Sequence, residues 1–351
     1  MAAPPPEHAA KTLTAACHCK SVRFTISVPA DALPLKVHLC HCSVCRHSTG
    51  MLCLFHAPLP AGVAPQFIAP SSPQNLTQYV LPGLLSLRHF CSTCGCHIGD
   101  RSRDANNWVL SSAIFDANRE EVGIWKINKH IYTASAPGGL HEWLPRIGDQ
   151  QIEIASDEIE TNLVEDSVKI MEHEAARTLT AKCHCGGVSL SIKHPTKEML
   201  EDTEIQEWVS PLDSTKWVAV LDVCDDCRLV NGTNVVGWAF IPKIAISPAV
   251  PTSLLVGTSK FYASSKNVQR TFCGTCGATV FYSCDERPNI PDVAVGILRA
   301  SEGVSAENWL TWRTKRLSSV EDGYRYDEAF ATAMTTGLCD WGKANPGKVL
   351  G

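Results

Sequence analysis

Three cysteine spacings stand out along the chain: Cys17-His-Cys19, Cys42-Ser-Val-Cys45 with Cys40 just before it, and Cys91-Ser-Thr-Cys94 followed by Gly95. Thiolates one or two residues apart on a tight turn point at a common centre at little entropic cost. They are therefore natural neighbouring ligands for a borderline-soft metal such as zinc. The chain holds 17 cysteines, an odd number that fits a disulfide scaffold poorly. Residues Met1 to Ala16 carry three consecutive prolines and no apolar run of the kind a secretory signal needs, so they read as a short disordered tail. A cytoplasmic, reducing setting follows as the expectation, and there clustered cysteines hold metal more often than they pair covalently.

The same spacings occur twice. Thr12-Leu-Thr-Ala-Ala-Cys17-His-Cys19 returns as Thr178-Leu-Thr-Ala-Lys-Cys183-His-Cys185, an interval of 166 residues. Cys42-Ser-Val-Cys45-Arg46 with Gly50 returns as Cys224-Asp-Asp-Cys227-Arg228 with Gly232. Arg88-His-Phe-Cys91-Ser-Thr-Cys94-Gly95 returns as Arg270-Thr-Phe-Cys273-Gly-Thr-Cys276-Gly277, and both of these intervals are 182. The chain is thus expected to be two tandem copies, 11–150 and 177–345. The change of interval places an insertion of sixteen residues in the second copy between Cys185 and Asp222, with His194 to Thr215 the favoured segment.

Comparing the copies sorts the ligands, which spacing alone leaves open. Cys17, Cys19, Cys91 and Cys94 all have counterparts (Cys183, Cys185, Cys273 and Cys276), so these sets of four are the candidates for closed, structural zinc sites. Cys40, Cys42 and Cys45 are three thiolates within six residues; their counterparts are Asp222, Cys224 and Cys227. A zinc on three protein ligands keeps a position for an outside group, which is what catalysis requires. The second copy's set is expected to be a weaker, harder-ligand metal site or an emptied one, with degeneration favoured. Cys53, Cys96, Cys284 and Cys339 fall outside the scheme and read as small buried apolar residues.

The elements that position these residues are mostly strands. Val22–Val28 and Val188–Ile192 alternate apolar and polar residues, while Met51–Phe55, Trp108–Ala113, Trp238–Ile241 and Val293–Leu298 are apolar runs of strand length. Prolines 58, 60, 65, 70 and 73 argue for a loop between them. A connecting helix is expected over 156–176, capped by Ser156, and a closing helix over Asp327–Thr336 ending at Gly337. The fold class is therefore mostly β: small antiparallel sheets stapled by zinc, each copy large enough to bury its own core.

Composition excludes some functions. A formal net charge of −5 with no dense basic run argues against nucleic acid as a partner, and no apolar run is long enough to span a membrane.

Taken together, Cys-x-Cys, Cys-His-Cys-Ser-x-Cys-Arg with its following Gly, and Arg-x-Phe-Cys-x-x-Cys-Gly resemble the glutathione-dependent formaldehyde-activating enzyme family, which also includes centromere protein V. His130-Ile-Tyr is similar to a family segment, whereas the second copy has Lys315-Arg-Leu there. The resemblance implies a β-tent fold, structural zinc on Cys17, Cys19, Cys91 and Cys94, and catalytic zinc on Cys40, Cys42 and Cys45. It also implies carbon–sulfur lyase chemistry on a glutathione adduct such as S-hydroxymethylglutathione, with glutathione as substrate or co-substrate.

A thiol bound to zinc is deprotonated and becomes the competent nucleophile or leaving group. The accompanying proton falls to His41, His47 or His130, of which His130 is taken as the catalytic candidate. Arg46, Arg88 or Lys129 are candidates for the substrate carboxylates, although Arg88 and Arg46 recur in both copies and so suit local packing better. Three alternatives stay open. The protein is a non-catalytic binding module like centromere protein V; or the second copy only shapes the cleft of the first; or the substrate is a larger glutathione conjugate.

Overall fold

A computed structural model describes residues 9–81, 86–104, 106–120, 123–155, 177–347 and 349–350. The first copy begins with a three-stranded sheet, Ala10–Ala16, Arg23–Pro29 and Gln66–Phe67. Period-two alternation builds it: Phe24, Ile26 and Val28 are fully buried, and Leu13 and Ala15 face them from the neighbouring strand. The tail expected over residues 1–16 is thus a strand from Ala10 onward, because its alternate residues have a core to enter; residues 1–8 lie outside the described residues.

The second sheet has eight strands in the order Glu153–Ile154, Trp125–Ile131, Leu35–Cys40, Leu54–Pro58, Trp108–Ser111, His97–Ser102, Ser86–Cys91 and Leu76–Val80. The second copy repeats this plan, with a three-stranded sheet and then eight strands in the corresponding order, from Val349–Leu350 through Trp217–Asp222 to Ser259–Ser265. The molecule is mostly β, as expected, but the sheets are not purely antiparallel. Leu35–Cys40 runs parallel to Trp125–Ile131, and Trp217–Asp222 runs parallel to Leu310–Arg313. The long excursion through the intervening strands supplies the crossover that parallel neighbours need.

Other expectations shift at their edges. The strand expected over Met51–Phe55 runs over Leu54–Pro58, because Gly50 ends a helix in the left-handed region and Met51–Cys53 form the bend that follows. Pro58 closes that strand, where a missing N–H costs little. The insertion holds two short helical turns, Met199–Glu201 and Thr203–Gln206. The closing helix is longer than expected, Val320–Ala344, with a kink at Asp327, and it passes through Gly337 without ending. Gly337 is a packing residue: a Cβ there would overlap the carbonyl oxygen of Trp143. The connecting helix expected over 156–176 lies outside the described residues.

The first copy keeps an apolar cluster of its own, around Leu13, Phe24, Ile26, Leu110 and Phe115, while the larger part of the core spans both copies. One apolar cluster runs from Val37, Leu39 and Leu52 through Trp143 to Trp238, Trp312 and Leu338. Trp143 of the first copy packs edge-on against Trp312 and Trp341 of the second, at 4.8 and 5.4 Å between ring centroids. Around this cluster the contacts are reciprocal. Gly50 (φ +81°) lies against the Thr279 backbone and Gly232 (φ +67°) against that of His97; a Cβ on either would overlap the facing carbonyl oxygen. The His184 N–H donates to His47 O at 2.8 Å, and the His18 N–H donates to Leu229 O at 3.2 Å. The duplicated faces therefore meet as the two halves of an isologous dimer do, with a covalent link between them.

Candidate metal centres

Both sets of four cysteines converge, each set with its sulfurs within 4.8 Å of one another. Cys17 and Cys19 stand 3.4 Å apart and Cys19 and Cys91 3.6 Å; Cys183–Cys185 and Cys185–Cys273 are 3.6 and 3.5 Å. A tetrahedron with metal–sulfur bonds of ~2.3 Å has edges of about 3.8 Å, so these clusters have nearly the size that zinc requires. Backbone N–H groups turn toward the sulfurs: Val22 and Val188 donate to Cys17 and Cys183 at 3.4 and 3.3 Å. Hydrogen bonds from Cys17 and then Cys91 hold the Cys19 thiol below its ordinary range, and those from Cys183 and Cys276 do so for Cys273. Their partners Cys17 and Cys94, and Cys183 and Cys276, are raised in turn, so each crowded set divides its protons unequally among its thiols.

Cys40, Cys42 and Cys45 form a third convergent set. Cys40 ends its strand and lies 3.6 Å from Cys42 and 3.4 Å from Cys45. Cys42 is the N-cap of the helix Ser43–Thr49, its sulfur accepting the Cys45 N–H. All three are buried. Cys45 also accepts from Arg88 Nη2 at 3.3 Å, and Arg88 binds Asp100 through Nε at 3.0 Å and Nη2 at 2.9 Å. Burial alone would raise the Asp100 carboxyl, but the guanidinium holds it below the usual range. Beyond Asp100 lie His56 and His97, with 3.4 Å between their Nε2 atoms. Three buried sulfurs with one guanidinium beside them suit a divalent cation, and zinc fits the donor set.

A run of histidines stands next to this cluster. His130 Nε2 faces the Leu144 carbonyl at 2.9 Å, so that nitrogen carries the proton and Nδ1 is an acceptor. His41 Nε2, 2.9 Å from His130 Nδ1, must then donate, which leaves His41 Nδ1 with a lone pair, buried and without a hydrogen-bond partner. His141 packs edge-on to His41 at 5.2 Å. Burial drives both imidazoles toward the neutral form, His41 well below the usual histidine range and His130 to about 4. Arg46, a sequence candidate for substrate binding, is occupied with backbone: Nε donates to His41 O and Nη2 to Ser135 O, both at 2.9 Å. Arg88 is a structural partner of Asp100, His47 is buried in the repeat interface, and Lys129 is a partly buried residue of the strand beside Leu35–Cys40.

Sequence reading missed Asp100 and His141. Asp100 is the direct cross-strand neighbour of Arg88, a relationship visible only once the hairpin register is known. His141 has no conspicuous spacing to any other ligand type.

The second copy differs. Among the described residues, Asp222, Cys224 and Cys227 are not among the groups whose ligand atoms all lie within 4.8 Å of one another. Asp222 Oδ1 instead accepts the Cys224 N–H at 2.9 Å, and its Oδ2 is 3.8 Å from the Cys227 sulfur. The carboxylate is taken up by its own turn, through the Cys224 N–H. Cys53 and Cys96 are buried as expected, whereas Cys284 and Cys339 are only partly buried; the Cys339 thiol donates to Thr314 O at 3.1 Å. Among the described residues no helix is long and apolar enough to cross a membrane.

A search of curated proteins returns no match to this chain. Two of its segments, residues 12–135 and 211–313, match the family described as glutathione-dependent formaldehyde-activating enzyme. One segment falls in each copy, the first taking in Cys17 through Cys94 and the second Asp222 through Cys276. Together they cover more than half of the residues, and the chain belongs to the glutathione-dependent formaldehyde-activating enzyme family.

Proposed function

We propose that the first copy is a carbon–sulfur lyase acting on a glutathione adduct, either S-hydroxymethylglutathione or a larger conjugate, with zinc on Cys40, Cys42 and Cys45. One observation carries this reading: three convergent sulfurs, where the structural sets have four, beside a buried histidine with an unused basic nitrogen. Zinc bound there would stabilise a sulfur anion, as nucleophile or as leaving group. His41 Nδ1 accepts the proton of the carbon-bound hydroxyl during elimination and returns it during addition. His130 is a positioning residue: its bond to Leu144 O fixes its tautomer, and that tautomer fixes the one on His41.

A groove of about 1250 Å³ lies between the first copy and the closing helix, lined by Trp125, Glu142, Pro145, Arg146 and Trp341 among others. Glu142 and Pro145, on either side of Leu144 in the chain, line it, whereas the cysteine trio and the histidine pair do not. The groove's size suits the peptide part of a glutathione conjugate, with Arg146 at its edge for a carboxylate, while Arg119 is paired with Asp225. The strand register puts Leu317, rather than Lys315, where the first copy has His130, and Asp222 where it has Cys40, so the lyase reaction is confined to the first copy.

The test is Cys42→Ser, with metal content and turnover of S-hydroxymethylglutathione and a bulkier S-conjugate measured together. The expected result is a folded protein short of one zinc and without turnover. A wild-type protein that holds its zinc yet turns over no thiol adduct would be the non-catalytic binding module instead.

A further inference from the structure

We propose that Cys224 and Cys227 are a redox-active dithiol, oxidised by a low-molecular-weight disulfide, and that the second copy is a thiol–disulfide exchange site. This goes beyond the lyase reading and does not depend on it. Cys224 is the N-cap of the helix Asp225–Asn231 and Cys227 lies one turn further on. Cys-x-x-Cys at a helix start is the spacing that disulfide oxidoreductases use. Replacement of the third cysteine by Asp222 leaves a pair of thiols where the first copy has a convergent trio.

The surroundings of the pair have been rebuilt. In the first copy Arg88 is bound on two sides by Asp100; the second copy has Tyr282 in the place of Asp100, and Arg270 stacks over its ring at 4.8 Å. Arg270 is 4% exposed, and among the described residues it forms no ion pair with a carboxylate; its Nη1 and Nη2 lie 3.4 and 3.5 Å from the Cys227 sulfur, and its Nε donates to Ser264. The neighbouring Cys224 and burial keep the resting Cys227 thiol protonated, and the guanidinium stands where it would stabilise the thiolate once the proton leaves. Asp222 Oδ2 stands on the other side of the same sulfur, 3.8 Å away. These groups line a cavity of about 290 Å³ together with Trp238 and Tyr282. Cys224 is partly buried and Cys227 is deeply buried, so an incoming disulfide meets Cys224 first.

The chemistry balances without metal or external electron carrier. The Cys224 thiolate attacks one sulfur of the disulfide RSSR, forming a mixed disulfide and releasing RS⁻. Cys227 passes its proton to Asp222 and attacks the Cys224 sulfur, releasing the second RS⁻ and closing the Cys224–Cys227 bond. The two protons lost by the cysteines end on the two released thiols. The pair is oxidised by two electrons and the disulfide is reduced by two.

The experiment uses the zinc-loaded full-length chain and oxidised glutathione as the probe, with intact mass and peptide mapping as readouts. The expected wild-type result is loss of two hydrogens, mapped to a Cys224–Cys227 cross-link that a dithiol reductant reverses. Cys227→Ser should stop at the first step and accumulate a glutathione adduct on Cys224. Cys224→Ser should form no adduct at either position. The proposal is overturned if both thiols stay unmodified, if adducts fall only on Cys284 or Cys339, or if the pair is shielded by a metal that Cys224→Ser releases. None of these readouts involves lyase turnover, so failure here and failure of the lyase reading are separable.

Discussion

The Tyr79 hydroxyl of the first copy lies 2.6 Å from Nδ1 of His184 in the second, and Tyr262 meets His18 at the same distance in the opposite sense. Each of these histidines sits between two cysteines of a four-sulfur set, and its backbone N–H donates to the helix that carries Cys45 or Cys227 of the other copy. The structural centre of one copy thus braces the cysteine-bearing helix of the other. Tyr79→Phe or Tyr262→Phe should each cost about 1 kcal/mol, the net worth of one partly buried hydrogen bond. Urea unfolding followed by tryptophan fluorescence should show one transition moving to lower urea. Two separated transitions would show that the copies unfold independently.

Removal of a structural ligand should act on the whole chain. Cys17→Ser takes one ligand from a site whose binding energy is folding energy, so soluble yield and the unfolding midpoint should both collapse. Through the His18 contact to Leu229, the loss should reach the second copy as well. A soluble Cys17→Ser protein with full zinc content would contradict this assignment.

Gly50→Ala tests the contact between copies. The alanine would have to hold φ near +81° and place its methyl on the Thr279 carbonyl. Strain of about 1–2 kcal/mol from the backbone adds to an overlap that no side-chain rotation relieves. The expected outcome is destabilisation beyond that figure in chemical denaturation, and a similar loss for Gly232→Ala, which faces His97. An effect limited to a few tenths of a kcal/mol would mean that the faces separate easily.

Arg88→Met leaves the Asp100 carboxylate buried without its partner, a change that typically costs about 3–5 kcal/mol. Adding Asp100→Asn to Arg88→Met should recover a large part of the loss, because the stranded charge is then removed. Thermal unfolding of the single and double variants checks this, and equal losses in both would refute the coupling.

Acid should expose the buried imidazole. Burial lowers His130 from 6.5 to about 4, so the unfolded chain takes up a proton that the folded chain refuses. The contribution to stability is complete above pH 6.5 and is lost as pH falls toward 4, with an upper size of about 3 kcal/mol. The difference in unfolding free energy between wild type and His130→Gln should therefore shrink over that interval. A difference that stays constant with pH would show that His130 titrates alike in both states. The same variant should also alter the pH dependence of turnover, because it releases the tautomer of His41.

Much of the site was legible in the residues. Cysteines write their spacing directly into the chain, and the loss of one of them at Asp222 is plain once the copies are aligned. Strands such as Arg23–Pro29 were legible because alternate burial leaves an alternate pattern. The tail was misread since Leu13 and Ala15 look unremarkable until a partner strand is known. Gly337 looked like a helix stop because its real reason, the close approach of Trp143, belongs to a residue far away in the chain.

By itself the sequence determined that the protein is a duplication, how many sulfurs each centre commands, and which copy keeps three at the reactive position. These follow from residue identity and local spacing, which survive any folding of the rest. Only the tertiary structure decided that the larger apolar cluster spans both copies, that His130 sets the proton on His41, and that Arg88 has Asp100 while Arg270 has Cys227. Those relationships are set by register and by the meeting of faces tens to hundreds of residues apart, where the energy comes from shape and desolvation, which no local pattern records.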